Sequence, residues 1–560
     1  MSTTQRHVFV TASPPTPNGD LHLGHLSGPY LGADVLARYQ KLRGARARYV
    51  VGTDDNQSYV PLKAIQHGVT PEAVAADYGD TIEQTLCAAM IELDHYVRPL
   101  RSPHHVWCAR ETVRQLYRSG VLVERDAAAP YCERCSRYLC ETYVSGGCPH
   151  CGSRADGNVC EQCGHPNGGA ELVEPTCKLC GQAPVQRCIR RLFFPLSRFT
   201  DRLRRYWDTT QMPPHVRALC ETVAREGLPD IAVTYPSSWG LQVPVEGYGD
   251  QRINPWFEMA PGYLASAADC RGAPVSESEH IADAWNVMGA HEVVQCFGYD
   301  NGFYHTTLYP AVFMALGDVR LPDVFVINEF YRLDGAKFST SRKHAIWAKD
   351  FLATEPVDAV RYYLCYDRPS VMRTNFTLSG YRDVVDRELI GTWQEWLDEL
   401  GQRLAAEFGG YSPVIGDWRS DHDHFLRYLK TTVAAVADTL EAAQFAPDRT
   451  VRLLGELVRT SRDFGRSWDH TRAAAGCDGH RQSARALEYT AAKTLAGLAY
   501  PIMPSFAEKL WRDLGCAGTP VDHGWPEPVE VAPATAVTIG HSYFRLPTLC
   551  FQGPNLGLRP

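Results

Sequence analysis

The sequence predicts an α/β chain: a parallel-sheet domain, split by a metal-binding insertion and followed by a bundle of helices. Three observations predict it. The first is a strand–loop–helix–strand start over residues 7–51. The second is four Cys-x-x-Cys pairs within fifty residues. The third is a C-terminal third, from about 381 to 515, that is almost wholly helical in pattern. At 560 residues the chain is too long for one core. Hydrophobic residues make up 44% and charged residues 21%, ordinary usage for globular domains. A net charge of −8 argues against a generally basic nucleic-acid binder but leaves room for a local basic track. With neither a leader pattern nor an apolar run of membrane length, the expected setting is the cytoplasm, without a membrane partner.

The elements follow in order. Val8-Phe9-Val10-Thr11-Ala12 reads as a buried strand, and residues 26–42 as the helix after it. Arg48-Tyr49-Val50-Val51 closes the βαβ unit. Helical patterns occupy residues 71–90 and 105–119. The cysteine-rich stretch, about 125–190, interrupts the α/β alternation. That alternation resumes near Pro255, with strands at Glu292–Phe297 and Asp323–Ile327. Phe425–Leu440, Thr450–Phe464 and Ala484–Ala499 carry apolar residues at 3–4 spacing, which predicts an antiparallel bundle. The tail is Pro-rich, with one apolar piece at Tyr543-Phe544-Arg545-Leu546. The expected division is therefore 1–120 and 239–350 for the two halves of a Rossmann-type parallel-sheet catalytic domain. Residues 121–238 form a connective insertion with zinc knuckles, 351–380 a junction, 381–520 the helical bundle and 521–560 a tail.

Two motifs carry the chemistry. Pro17-Asn18-Gly19-Asp20-Leu21-His22-Leu23-Gly24-His25 lies between the first strand and its helix. There, helix N–H groups and two imidazoles can hold a polyphosphate. Asp334-Gly335-Ala336-Lys337-Phe338-Ser339-Thr340-Ser341 supplies a lysine with flanking hydroxyls. Together they suit attack of a carboxylate on the α-phosphate of ATP, with pyrophosphate leaving. The cysteines pair as Cys132/Cys135, Cys148/Cys151, Cys160/Cys163 and Cys177/Cys180. Two such pairs complete a tetrahedral all-thiolate site, so two structural Zn²⁺ ions are expected. The Cys148–Cys163 segment most simply closes on itself, and the outer pairs then close around it.

On these residues the chain resembles the class I aminoacyl-tRNA synthetases, and among them the methionyl branch. His22-Leu23-Gly24-His25 and Lys337-Phe338-Ser339-Thr340-Ser341 resemble the two class motifs. The four-knuckle insertion, Trp239-Gly240 with Val243-Pro244, Gly298-Tyr299-Asp300 and Val360-Arg361-Tyr362-Tyr363-Leu364 occur in the family's order. The resemblance implies an aminoacyl-adenylate made from ATP, with Mg²⁺, then transfer to the 3′ end of a tRNA. His22, His25 and Lys337 would stabilise phosphate charge. Asn18, Gly24, Gly298, Asp300, Ser339 and Ser341 would bind ATP. Asp54, at the end of the second strand, would bind the substrate ammonium. Pro14, Thr16, Trp256, Met259, Tyr263, Asn301 and His305 would surround the amino acid.

The departures from the family bear on substrate and partner. Pro14 and Thr16 stand where the family usually has leucine and tyrosine, and Met259-Ala260-Pro261 alters the stretch after Trp256. A methylene misfit costs about 1–3 kcal/mol, so methionine or a related amino acid fits this pattern. Thr340 replaces a second lysine, with Arg342 and Lys343 following. With Glu388-Leu389-Ile390 anchoring the first bundle helix, the family's anticodon-reading Asn and Arg fall on Glu395 and Glu399. Two carboxylates there would repel RNA phosphates, and Trp468 is the one candidate for a stacking tryptophan. Three classes of function follow: a tRNA ligase, an amide-forming ligase that passes the aminoacyl group to a small-molecule amine, and a non-catalytic binder. Intact His22, His25, Asp54, Asp300 and Lys337 argue against the last.

Overall fold

The computed structural model describes residues 5–272, 292–317, 319–338, 344–469, 478–528 and 535–549. Five parallel strands make the central sheet: β1 (His7–Ala12), β2 (Arg46–Gly52), β3 (His95–Val97), β4 (Glu292–Gly298) and β5 (Val324–Asn328). Their spatial order is β5-β4-β1-β2-β3. The chain runs outward from β1 to β3, then returns to the other side of β1 for β4 and β5. The order therefore reverses between β1 and β4, the place where open α/β sheets bind ligands beyond their strand ends. β1 is buried on both faces, as an unbroken apolar run in a parallel sheet should be.

The first helix begins earlier than the apolar pattern suggests. His22 is its N-cap, and the chain turns helically from Leu23 to Leu42. Between them, Leu26–Tyr30 forms a wider turn kinked at Gly28, next to Pro29. Pro29 lacks the N–H that regular α-geometry would use. Arg368 holds the kink from outside, its Nη1 donating to the carbonyls of Ser27 and Gly28 at 2.6 Å each.

The insertion is all antiparallel. Val123–Cys132 and Val185–Pro195 pair as a long ribbon flanked by Asp230–Ala232 and Arg137–Tyr138. A second small sheet joins Arg154–Gly157, Glu141–Gly147 and Val173–Cys177. The bundle helices are Ser420–Leu440, Pro447–Ser467, Asp478–Ala499 and Pro504–Asp513, preceded by a continuous helical stretch from Leu378 to Phe408. Those at 447 and 504 begin with proline at the first helical position, where the missing N–H costs no helical hydrogen bond. Arg361, fully buried, ties the bundle to the sheet domain. It donates to Asp34 at 2.6 Å and to the carbonyls of Ala89, Pro501 and Ile502. In the tail, Phe544 packs on Phe506 and Trp393 without regular structure. No helix among the described residues is long and apolar enough to cross a membrane.

Candidate active site

The rings of His22 and His25 stack with centroids 3.6 Å apart, and His22 stacks on Phe338 at 4.7 Å. Each histidine caps the other: the His25 amide donates to His22 Nδ1 at 3.2 Å and the His22 amide to His25 Nδ1 at 3.3 Å. Burial first, then neighbouring positive charge, holds both imidazoles neutral. His25 is lowered to about 4, and His22 lies well below its ordinary value. A neutral imidazole that accepts at Nδ1 carries its proton on Nε2. The pair therefore offers two Nε2–H donors. The helix N–H groups expected to cradle phosphate are partly used already. Leu23 donates to the Ile346 carbonyl at 3.0 Å and His25 to His22. Gly24 is required by its neighbours: a Cβ would stand 3.0 Å from the His22 ring and from Phe338.

Lys337 ends a two-residue strand, Ala336–Lys337, in a tight hairpin with Tyr331–Leu333. It forms an ion pair with Glu161, between Cys160 and Cys163 of the knuckle, and lies over the Phe330 ring. Arg373 adds a second link to the knuckle, donating to Gln162 at 3.1 Å. Ser339, Thr340, Ser341, Arg342 and Lys343 lie outside the described residues. Asp300 follows β4, and burial, then the Glu161 charge, pushes its carboxyl up to about 6. Asn301 donates to it at 3.2 Å. At Gly298 a Cβ would meet Asp300 Oδ1 at 2.7 Å. Asn18 sits in the loop after β1, its amide donating to the Thr16 carbonyl at 2.9 Å.

A narrow cavity of ≈ 40 Å³ opens beyond the ends of β1 and β2. Pro14, Asp54, Met259 and Tyr263 line it together. Burial, then Glu258, raises the Asp54 carboxyl well above its ordinary value. Thr16, Trp256, Asn301 and His305 do not line this cavity, a correction to the expected pocket. His305 lies behind Tyr263, held between the Tyr263 hydroxyl at 2.7 Å and the Asn301 carbonyl at 3.0 Å, and burial lowers it to about 3. Asn301 follows Asp300 on the nucleotide side. Trp256 stacks on Tyr304 at 4.3 Å and faces a separate chamber. By spacing Trp256 shares a helix face with Met259 and Tyr263, yet it stands in the first turn of Pro255–Arg271, where it stacks on Tyr304 and lines the neighbouring chamber instead. Three lining or supporting groups escaped the sequence reading. Glu258 Oε1 meets His105 Nε2 and Asn56 Nδ2, each at 2.7 Å, inside the pocket wall. No short motif marks these groups; the helix Pro255–Arg271 brings them together with Asp54.

The cysteines form two sets, Cys132/Cys135/Cys177/Cys180 and Cys148/Cys151/Cys160/Cys163, with the sulfurs of each set within 4.8 Å of one another. The inner pairs close on themselves and the outer pairs around them, as the spacing predicts. Sγ–Sγ separations of 3.5, 3.9, 3.9 and 3.6 Å match the edge of about 3.8 Å that four sulfurs at about 2.3 Å around a tetrahedral ion would have. The donor set fits a closed structural metal ion.

The expected repulsive face of the bundle is corrected by the structure. Glu399 accepts from Arg462 and Arg466 at 2.6 Å each and from Arg403 at 3.2 Å, and Glu395 accepts from Arg462. Helix Pro447–Ser467 supplies Arg462 and Arg466, and Arg403 lies one turn on from Glu399 in its own helix, so the carboxylates are neutralised within the bundle. Trp468 is buried, stacked on His422 at 4.9 Å and covered by Arg419.

A strand-end site with paired imidazoles, a hairpin lysine and an ammonium-ready carboxylate defines a nucleotide-dependent ligase of the parallel-sheet class. The family model described as "tRNA synthetases class I (M)" matches residues 8–399. A methionine--tRNA ligase of Methanopyrus kandleri is 31% identical over 534 residues, covering 93% of this chain and 77% of that protein. One from Thermomicrobium roseum is 31% identical over 510 residues, covering 90% and 85%. The solved Mycobacterium tuberculosis methionyl-tRNA synthetase in complex with methionyl-adenylate shares the fold, with a TM-score of 0.77 at 21% identity over 95% of this chain and 98% of that one. The chain belongs to the class I tRNA synthetase (M) family.

Proposed function

We propose that the protein activates methionine, or an amino acid of similar shape, as its adenylate and then transfers it to the 3′ end of a tRNA. The observation that carries this reading is the ring of ligand-ready groups at the β1–β4 reversal: two Nε2–H donors, Lys337, Asp300 and Asp54. Asp54 would hold the substrate ammonium, and a bound cation would lower its raised pKa and ionise it. Pro14, Met259 and Tyr263 would enclose the side chain. Trp256 and His305 would support that enclosure from behind, Asn301 and Asp300 would meet the ribose, and Asn18, Gly24, Gly298, Ser339 and Ser341 would shape the nucleotide cradle. The carboxylate oxygen attacks the α-phosphorus and the bond to the β-phosphate breaks. The two imidazoles and Lys337 bear the charge on the departing pyrophosphate. Because Lys337 is paired with Glu161, ATP has to compete for it, which couples nucleotide binding to the knuckle. The two cysteine sets would hold structural Zn²⁺. Among the described residues the phosphate end gathers no acidic three-ligand set, so Mg²⁺ would arrive on the triphosphate.

A second reading has its own support. The bundle face where anticodon contacts were expected is closed by Glu399–Arg462–Arg466, and Trp468 is buried. This favours an amide-forming ligase with a small-molecule acceptor. ATP–pyrophosphate exchange across a panel of amino acids, followed by transfer with and without total tRNA, tests both. Exchange with methionine and tRNA-dependent transfer supports the first reading. Exchange with tRNA-independent transfer selects the second, and a protein inert toward every amino acid refutes both.

A further inference from the structure

The inner cysteine knuckle carries two histidines that neither its own sulfur set nor the activation chemistry uses. His150 lies inside Cys148-Pro149-His150-Cys151, and His165 follows Cys163-Gly164. The turns that gather the four sulfurs gather these rings as well. The Cys160 amide donates to the His165 carbonyl at 2.9 Å, and the Gly164 amide to the Cys160 carbonyl at 2.8 Å. The two rings stack with centroids 4.4 Å apart. Against them stands Glu226, the last residue of helix Pro214–Glu226. Both rings direct a nitrogen at the same carboxylate oxygen: His165 Nε2 lies 3.2 Å and His150 Nδ1 3.8 Å from Glu226 Oε2.

Hydrogen bonding leaves this arrangement incomplete. His165 Nδ1 meets the Cys163 carbonyl at 3.4 Å. A carbonyl only accepts, so Nδ1 carries the proton of the neutral ring and Nε2 presents its lone pair. That nitrogen is buried and has no hydrogen bond, although a carboxylate oxygen stands 3.2 Å away. Two lone pairs held at that distance repel, and a cation between them turns the repulsion into attraction. A backbone carbonyl on the far ring nitrogen is the usual outer partner of a metal-bound imidazole. Ligands at about 2.0–2.1 Å around a tetrahedral ion stand about 3.3 Å apart. The 3.2 Å edge meets this, and rotation of the half-exposed Glu226 side chain closes the 3.8 Å one. All three ligand atoms lie within 4.8 Å of one another. The final carbonyls of the helix that ends at Glu226 also carry partial negative charge, which favours a cation there.

We propose that His150, His165 and Glu226 form a third metal site, separate from the two thiolate sets, which takes a divalent cation of the Zn²⁺ or Co²⁺ kind with water at a fourth position. Two imidazoles and one carboxylate suit such ions better than Mg²⁺ or Ca²⁺, which seek oxygen ligands. With three protein ligands and an open position, the site exchanges its ion, while the closed thiolate sets keep theirs. It therefore adds to the two ions expected to survive purification. The ion would clasp the knuckle to a helix whose end lies more than sixty residues further along the chain. Gly164 and Leu219 already bring the two together, since a Cβ on Gly164 would stand 2.6 Å from Leu219 Cδ2. The clasped knuckle is the one whose Glu161 and Gln162 reach Lys337 and Arg373.

The test uses the untagged full chain with its cysteine sets zinc-loaded, dialysed free of loosely held metal and titrated with Co²⁺. One further ion per chain is expected. It should show the d–d absorption of cobalt on nitrogen and oxygen ligands, without the sulfur-to-cobalt charge-transfer band that exchange into a cysteine set brings. Zn²⁺ should displace it, following the usual order of divalent affinities, and excess Mg²⁺ should not. Glu226→Ala, at an exposed helix end, should weaken binding of the added ion by about tenfold or more, since even the outer partners of a metal site count for that much. His150→Ala, also at an exposed position, should do the same. Saturation at two ions, cobalt uptake that always carries the sulfur band, or a third ion that either variant, folded by circular dichroism, binds as tightly as wild type would overturn the proposal. If the chain folds without zinc in its cysteine sets, the zinc expectation fails separately. The same titration then still decides, because the sulfur band marks the cysteines and its absence marks the third site.

Discussion

The sheet domain and the helical bundle treat buried charge in opposite ways. Around the strand ends, buried Asp54 and half-buried Asp300 have no cation bonded to them among the described residues, and both are pushed upward by desolvation and by neighbouring carboxylates. In the bundle, charge is met by charge. Glu399 faces three arginines, and Glu488, fully buried, accepts from Arg403 at 2.8 Å and from Trp396 at 3.2 Å. Burying an ion is costly unless a partner repays it. The bundle repays much of the cost within itself, although burial still lifts the Glu488 carboxyl to about 7 against Arg403 and Arg485. The strand-end carboxylates leave it outstanding, and the partners they lack are donors, an ammonium for Asp54 and ribose hydroxyls for Asp300 in the proposed reading.

The largest expected effect concerns the cysteine sets, which belong with the incomplete side of the comparison. Metal analysis should find about two zinc ions per chain, and strong chelation should unfold the insertion, because such binding carries apparent free energies of about 10–16 kcal/mol in small zinc folds. A folded, metal-free protein would break the comparison. Next, His25→Ala or Lys337→Ala should slow pyrophosphate exchange by on the order of 10²-fold, with a smaller change in amino-acid affinity, since these groups act on developing charge. A lesser effect belongs to Glu161→Gln. Releasing Lys337 from its ion pair should lower the KM for ATP by about threefold, as expected when an exposed pair worth under 1 kcal/mol is removed. An unchanged KM would show that the knuckle does not compete with ATP for Lys337.

The smallest effect lies in the bundle. Although burial raises Glu399, Arg466 and Arg462 outweigh it and hold the carboxyl down at about 2. A depressed acid contributes stability above its unfolded value, near 4, and loses it as pH falls toward 2. Glu399→Gln should therefore lower the Tm modestly at pH 7, with the gap to wild type narrowing as pH falls below about 4. A gap that stays constant with pH would show that Glu399 acts through packing.

Local features were legible in the sequence where one segment decides them. The run Val8–Ala12 can only be a buried strand, the His-x-x-His spacing fixes two rings on one turn, and nested Cys-x-x-Cys pairs have one simple closure. What was not legible depends on distant partners. The carboxylates Glu395 and Glu399 read as a bare face until Arg462 and Arg466, more than sixty residues on, fold against them. Lys337 reads as free until Glu161 arrives from the insertion. The family resemblance puts Trp256 in the amino-acid pocket, yet it stacks on Tyr304 and lines the next chamber. The helix after β1 carries a kink that Arg368 stabilises from a later segment.

The comparison is tested most directly by one paired measurement: amino-acid-dependent ATP–pyrophosphate exchange in Asp54→Asn and in Glu399→Gln. Both substitutions remove one carboxylate charge at nearly constant volume. The account predicts a loss of about 10²-fold or more for Asp54→Asn, as befits a group completed only by substrate, and an unchanged rate for Glu399→Gln. Equal rates in the two variants would contradict it.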